Sequence, residues 1–497
     1  MNVDRRSVAA DAPIWTPPLV SLAVLAALLL WFPLLRATTP SAIAYNEGWN
    51  TYWQQAAADG QQLYGAPPGL TIENYPPLSF HLIGWLGHVT GDTNVAGRVV
   101  ALLSLGLVCT LAGRITTRIS GSRFAGWYAG LYPLVWLGVY APDRIAMNDP
   151  QFLGMVPELL GFSIYARWPR SAPALSGSAV LFALAVFTKQ NLIAYPAAVG
   201  IDMLLARDWK SLCVWTTIGL VAAGLLFGAS IWIDGGFFLD HLLRSRAAAY
   251  GTGRNTDLGY FLVSAPAIFV SASWVIGLVD IHRSRLLAAG WAVSTGVGMI
   301  LAFGHGVAYN ILFEAMVLNA ILVPTACQEL IGGAGPRGRM ICVCLLMLNV
   351  IWMPALIPGG LTNGFHAWEG LPRAKMAFTS EVDLIRGRPG TAWCEDLLLC
   401  RAAGKPMVFD AYVVQDQIET GRLSECDILH QLVTQGPVTV EIGAPPAPTP
   451  PLPKARLRFT ARFMRTLLTY YRPILRTPDV TIFVPSFGPW EEAEACR

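Results

Sequence analysis

The sequence predicts a polytopic α-helical membrane protein of about eleven spans followed by a small α/β domain. Three observations carry that expectation. Of 497 residues, 54% are hydrophobic and only 13% charged, too apolar for a soluble enzyme of this size. Apolar stretches long enough to cross a bilayer recur through the first 358 residues. Beyond about Gly359 the composition shifts to short alternating runs and turn residues. A net charge of +3, with Lys and Arg scattered in small groups, argues against nucleic-acid binding.

The expected spans are 18–36, 95–117, 123–140, 150–167, 173–188, 190–206, 211–233, 258–280, 286–303, 308–330 and 339–357. The fifth and sixth are short enough to form one broken pair. The first follows Arg5 and Arg6 without a clear small-residue cleavage site after it, so it reads as a retained helix. Residues 38–94 form the first outer loop, with interfacial helices that include an amphipathic one over Pro77–Val89. With the N-terminus inside, most of the Arg and Lys at span ends fall on the cytoplasmic side, and an odd span count puts residues 359–497 outside. In that outer part Pro406–Tyr412, Pro437–Ile442 and Val480–Val484 read as strands, and Asp416–Gly421 and Asp427–Thr434 carry helical spacing around a proline-rich loop, Pro445–Pro453. Cys394, Cys400, Cys426 and Cys496 lie there, where an oxidising compartment could pair some of them.

Chemistry concentrates at the outer ends of the spans. The stretch Ala44–Leu78 contains Glu47, Asp59 and Glu73 but no Lys or Arg, interleaved with Tyr45, Trp49, Tyr52, Trp53, Tyr64 and Tyr75. Acidic and aromatic groups at a membrane exit suggest sugar chemistry, although Trp and Tyr also serve as interfacial anchors. Glu47 reads as a solvated loop carboxylate that could take a proton from an attacking hydroxyl. Asp149, in MNDPQ, opens the fourth span on the same face and also suits an N-cap ahead of Pro150. Lys189, in FTKQN, interrupts an apolar run at the outer end of the fifth span; a lipid phosphate would supply its anionic partner, and snorkelling is the plainer alternative. Arg98 lies one turn into the second span and could hold a phosphate. Asn310 and Glu314, at i and i+4 in the tenth span, share one face, and an Arg98–Glu314 ion pair would account for both charges.

In order, spacing and sidedness these motifs resemble the GT-C superfamily of membrane glycosyltransferases, within it the group of protein O-mannosyltransferases and the aminoarabinose lipid A transferase. Four features carry the resemblance: the acidic pair position occupied by Asn46 and Glu47, the Pro-Pro-Leu turn in NYPPLSF with Tyr75 at its start, the acid of MNDPQ, and Lys189. The resemblance implies inverting transfer of a sugar from a polyprenyl-phosphate donor to a glycan, lipid or protein acceptor on the outer face of the bacterial inner membrane. Glu47 and Asp149 are then the catalytic pair, Lys189 and Arg98 hold the donor phosphate, and Asn46, Tyr75, Asn310 and Glu314 line the substrate site. Asn46 stands where the family usually has Asp, which leaves Glu47 and Asp149 both open as the base. No organic cofactor is implied, and one carboxylate beside an amide is too small a ligand set to argue for a divalent metal. A flippase for a lipid-linked sugar, or a scaffold without catalysis, remains the alternative; a flippase would place its charges near the midplane, whereas these cluster at the outer ends.

Overall fold

The structure is a computed structural model of the full chain and describes residues 5–66, 69–244, 285–304, 307–333, 336–351, 357–434, 436–443, 459–477 and 480–486. The expected span 258–280, the loop cations Arg246 and Arg254, the Pro445–Pro453 loop and Cys496 lie outside the described residues.

The helices run in chain order as α1 (Arg5–Arg36), α2 (Asn46–Ala58), α3 (Leu78–Thr90), α4 (Thr93–Ser120), α5 (Arg123–Tyr140), α6 (Gln151–Arg167), α7 (Ala172–Thr188), α8 (Ala194–Leu205), α9 (Trp209–Asp234), α10 (Arg285–Leu301), α11 (Phe313–Gly333), α12 (Pro336–Ile351) and α13 (Ile357–Arg386). Four described segments are long and apolar enough to cross a membrane: Ile14–Arg36, Thr93–Ser120, Trp209–Asp234 and Tyr309–Ile331. Their surroundings differ. None of the apolar window of α9 is buried, and Leu220, Val221, Leu225 and Trp232 point outward, as lipid-facing side chains do. The Tyr309–Ile331 segment is buried along its whole window and forms the centre of the bundle, packed against α4, α5 and α10. The short fifth and sixth spans are a broken pair: α7 ends at Thr188, Lys189 is extended, and α8 starts at Ala194.

Close crossings set the geometry around α2. A Cβ at Gly84 would stand 2.1 Å from the Gln54 carbonyl oxygen, so α3 lies directly on α2. A Cβ at Gly48 would meet the Leu398 nitrogen at 2.3 Å, where the short helix α14 (Leu397–Ala402) docks on α2.

After α13 the chain forms a four-stranded sheet of β1 (Ala392–Cys394), β2 (Thr439–Gly443), β3 (Tyr471–Arg476) and β4 (Val480–Pro485), in the order β1-β2-β4-β3. The β1–β2 pair is parallel and the others antiparallel. The helices α15 (Ala411–Glu419), α16 (Glu425–Thr434) and α17 (Ala461–Tyr470) complete this part. Cys394 and Cys400 form a disulfide that ties β1 to α14. The expected strand over Pro406–Tyr412 does not form, because the Asp410 carboxylate accepts from the Tyr412 and Val413 backbone N–H groups and starts α15 there. Strand β3 escapes the sequence pattern because Pro473 interrupts it, and its place at the sheet edge is where a missing N–H is tolerated.

Candidate active site

The site grows from one face of α2. Glu47, Asn50, Thr51 and Gln54 recur at helical spacing and are all buried. The Glu47 carboxylate is not a solvated loop group, contrary to expectation: it sits in the first turn of α2 with no exposed surface. Four N–H groups reach it. Oε1 accepts from Arg98 Nε (2.9 Å) and the Asn148 backbone (2.9 Å), and Oε2 from Arg98 Nη2 (2.7 Å) and the Ile43 backbone (2.6 Å). A carboxylate has about four lone-pair sites, so Glu47 has no capacity left for a substrate proton.

Arg98 is equally committed. Besides the two bonds to Glu47, its guanidinium donates to the Ala37, Thr39 and Ser41 carbonyls at 3.1, 2.5 and 2.7 Å. All five of its donors are thereby used. Arg98 thus pairs with Glu47 instead of Glu314, and its bonds to the loop after α1 leave none for a phosphate.

The second layer is built on Asn148. Ala146, two residues earlier, has φ 63°, a left-handed conformation costly for a residue with a side chain. That bend turns Asn148 into α2. Its amide makes a reciprocal pair with the Gln54 amide at 2.8 Å in each direction and reaches Thr51 Oγ1 at 3.3 Å and Asn94 Oδ1 at 3.4 Å. Its carbonyl accepts from Asn50 Nδ2 at 2.7 Å. Gly97 of α4 makes room, since a Cβ there would lie 2.0 Å from Asn148 Oδ1. Sequence reasoning passed over Asn50, Thr51, Gln54, Asn94 and Asn148, although the polar residues at i, i+3, i+4 and i+7 from Glu47 marked the stripe.

Asp149 follows, 6% exposed. Its Oδ1 accepts from Lys189 Nζ at 2.6 Å and from the Gln151 N–H at 2.8 Å. Its Oδ2 has no hydrogen-bond partner and lies 3.9 Å from Arg144 Nη1. Burial pushes the Asp149 carboxyl up, but the Lys189 and Arg144 charges and the two hydrogen bonds outweigh it and hold the group below the usual carboxylate range. Lys189, 3% exposed, extends from the break between α7 and α8, and its ammonium sits 4.8 Å from the centre of the Tyr75 ring. Trp49 of α2 meets Tyr75 edge-on at 5.0 Å. Gln190 Nε2 donates to the Asn74 carbonyl at 2.8 Å, fixing the Tyr75 loop to the same break.

The remaining expected residues divide. Asn310 approaches Gln151 Oε1 at 3.5 Å, at the edge of the site. Glu314 lies deeper, accepting from the Ala194 N–H at 3.0 Å with its carboxyl against that of Glu158, away from Asp149 and Lys189. Asn46 opens α2 and is half-buried. Among the described residues no three His, Cys, Asp or Glu side chains gather as a metal ligand set.

The fold, a helical bundle with a helix break beside a buried carboxylate–lysine pair, is shared with solved structures of low sequence identity. Among solved structures the chain is similar to ArnT from Cupriavidus metallidurans bound to undecaprenyl phosphate, with a TM-score of 0.58, 13% identity, and 93% of this chain and 97% of that one covered. The same protein in its apo state gives a TM-score of 0.55, 14% identity and the same coverage. Neither a protein-family model nor a curated protein sequence matches the chain.

Proposed function

We propose that the chain is an inverting glycosyltransferase that moves a sugar from a polyprenyl-phosphate donor to an acceptor hydroxyl at the outer face of the bacterial inner membrane. The observation that carries this reading is the buried Asp149–Lys189 pair at the α7–α8 break, with one carboxylate oxygen unpartnered. In this reading the acceptor oxygen attacks the sugar C1 and its proton passes to Asp149 Oδ2. The bond from C1 to the phosphate oxygen breaks, and the departing polyprenyl phosphate keeps the electron pair. Lys189 and Arg144 stabilise the charge that develops on that phosphate. Tyr75 and Trp49 form the aromatic wall for the donor, and Asn310 lies at its far edge.

Residues 1–358 carry this chemistry, with the N-terminus cytoplasmic, and residues 359–497 lie outside the membrane. Glu47 and Arg98 act as a positioning pair: they pin the start of α2 to α4 and to the backbone of Asn148, and so fix Asp149. Support from the comparisons is the fold shared with ArnT, solved bound to undecaprenyl phosphate.

The test is release of prenyl phosphate from synthetic polyprenyl-phosphate sugars by the purified protein, with undecaprenyl phosphate binding measured alongside. Acceptor-dependent release that disappears in Asp149→Asn while binding persists, together with weakened binding in Lys189→Met, is the expected result. Full release by Asp149→Asn would overturn the assignment of the base, and undiminished binding by Lys189→Met that of the phosphate site.

A further inference from the structure

A cavity opens beside the Asn148 layer, where Thr51 and Asn94 form part of its wall. It has a volume of about 440 Å³ and lies between α2, the α3–α4 turn, α13 and α14, within the usual size range of small-molecule sites. Gln55, Asp92, Thr93, Asn94, Phe378 and Arg401 give its wall its chemical character. Arg401 is half-buried beside the Tyr52 ring, its guanidinium 5.7 Å from the ring centre, and it donates to Gln55 Oε1 at 3.0 Å. No carboxylate pairs with it among the described residues. Gln55 Oε1 also accepts from Thr93 Oγ1 at 3.0 Å, and Asp92 spends one oxygen capping α4 at Val95 N.

We propose that this cavity binds a saccharide, the sugar part of the acceptor. The amide oxygens of Gln55 and Asn94 are already taken within the wall, which leaves the remaining amide and guanidinium N–H groups as donors and the second Asp92 oxygen as an acceptor for a ring of hydroxyls. Besides the His88 ring, the wall holds one Arg and one Asp whose charges offset, and it lacks the cluster of Arg and Lys that a polyphosphate would demand. Phe378 supplies an apolar surface for the carbon face of a sugar ring. A lipid chain would meet too many polar groups here. The cavity shares a wall with the candidate active site: Thr51 and Asn94 line it, and both reach the amide of Asn148, the residue before Asp149.

The site as a saccharide cavity stands on its own geometry, whereas its role as acceptor site rests on the transferase reading. The test is saturation-transfer NMR on the full-length protein in detergent with maltose, cellobiose and diacetylchitobiose as probes, beside undecaprenyl phosphate binding. Transfer to at least one disaccharide is expected, reduced threefold or more in Arg401→Ala and in the cavity-filling Ala402→Trp, and retained in Lys189→Met. Undecaprenyl phosphate binding by Arg401→Ala identifies that variant as folded. No transfer to any probe, or transfer that survives both cavity substitutions, overturns the proposal. If saturation transfer to a disaccharide follows the cavity while no polyprenyl-phosphate sugar releases prenyl phosphate with any acceptor, the saccharide site stands and the transferase reading fails.

Discussion

Glu47 and Asp149 are two buried carboxylates with opposite degrees of commitment, and substitution separates them. Asp149→Asn keeps the shape and removes the base, so kcat should fall by about 10²–10⁴, and because it also leaves Lys189 buried without its countercharge the thermal midpoint should fall as well. Glu47→Gln leaves Arg98 buried without its countercharge, a loss on the order of 3–5 kcal/mol; activity and stability should fall together. Full kcat in Asp149→Asn, or an unchanged thermal midpoint in Glu47→Gln, would refute the distinction. The pH dependence follows from the same environment. Because Asp149 is held below its ordinary range, it stays ionised, and transfer should show no acid limb between about pH 5 and 8, where an unperturbed carboxylate of pKa near 4 would begin to protonate at the lower end. A pH–rate profile that declines below pH 6 in parallel with Asp149 titration would contradict this. Glu47, Asp149 and Lys189 stood out in the sequence by residue type and position, and the structure finds all three buried. The pairing was not legible: the expected partners of Arg98 were a phosphate and Glu314, and only the fold shows that the loop acid, 51 residues away, takes it.

At the scale of elements, α2 is clasped between close-packed neighbours, and two glycines report on it independently. Gly97→Ala puts a methyl into Asn148 and should shift the Asn148–Asp149 segment, lowering transfer at least tenfold with a stability loss of about 1–3 kcal/mol. Unchanged kcat in that variant would show that the Asn148 layer does not position Asp149. Gly48→Ala strikes the backbone of Leu398 and should loosen α14 from α2. Amide exchange across 397–402 measures this, and unaltered protection would show that the contact is relaxed elsewhere. The sequence foretold a helix over Pro77–Val89, which matches α3 to within a residue at either end. It also placed a helix break beside Lys189. It misjudged Pro406–Tyr412 because a short apolar run does not reveal whether the Asp410 side chain will bond to the ladder or to its own backbone.

Across the whole molecule, the apolar spans dominated the pattern and were readable from composition, while the sheet beyond α13 was only half readable. Glu441 of β2 shows why: a carboxyl on a central strand gives no sequence hint of burial, yet it is 1% exposed. Burial pushes its carboxyl well up, with the Asp396 charge adding and the Asp396 N–H bond opposing, and Glu395 and Glu381 adding further. A folded state that holds this extra proton loses stability as pH rises above the unfolded value of about 4.3. Glu441→Gln should therefore raise the unfolding midpoint at pH 8, by about 2–4 °C per kcal/mol recovered, with the gain shrinking toward pH 5. Tryptophan fluorescence melts at both pH values read this directly, and a pH-independent difference would count against it.

The clasp on α2 has one further consequence. Its buried stripe bears on Asn148, and α14 bears on Gly48. Any ligand that binds more tightly when this contact is closed must, by thermodynamic linkage, be matched by equal tightening at whatever second site the closed contact favours. If prenyl phosphate raises saccharide affinity by some factor, saccharide raises prenyl phosphate affinity by that same factor, and two titrations performed in opposite order measure one number.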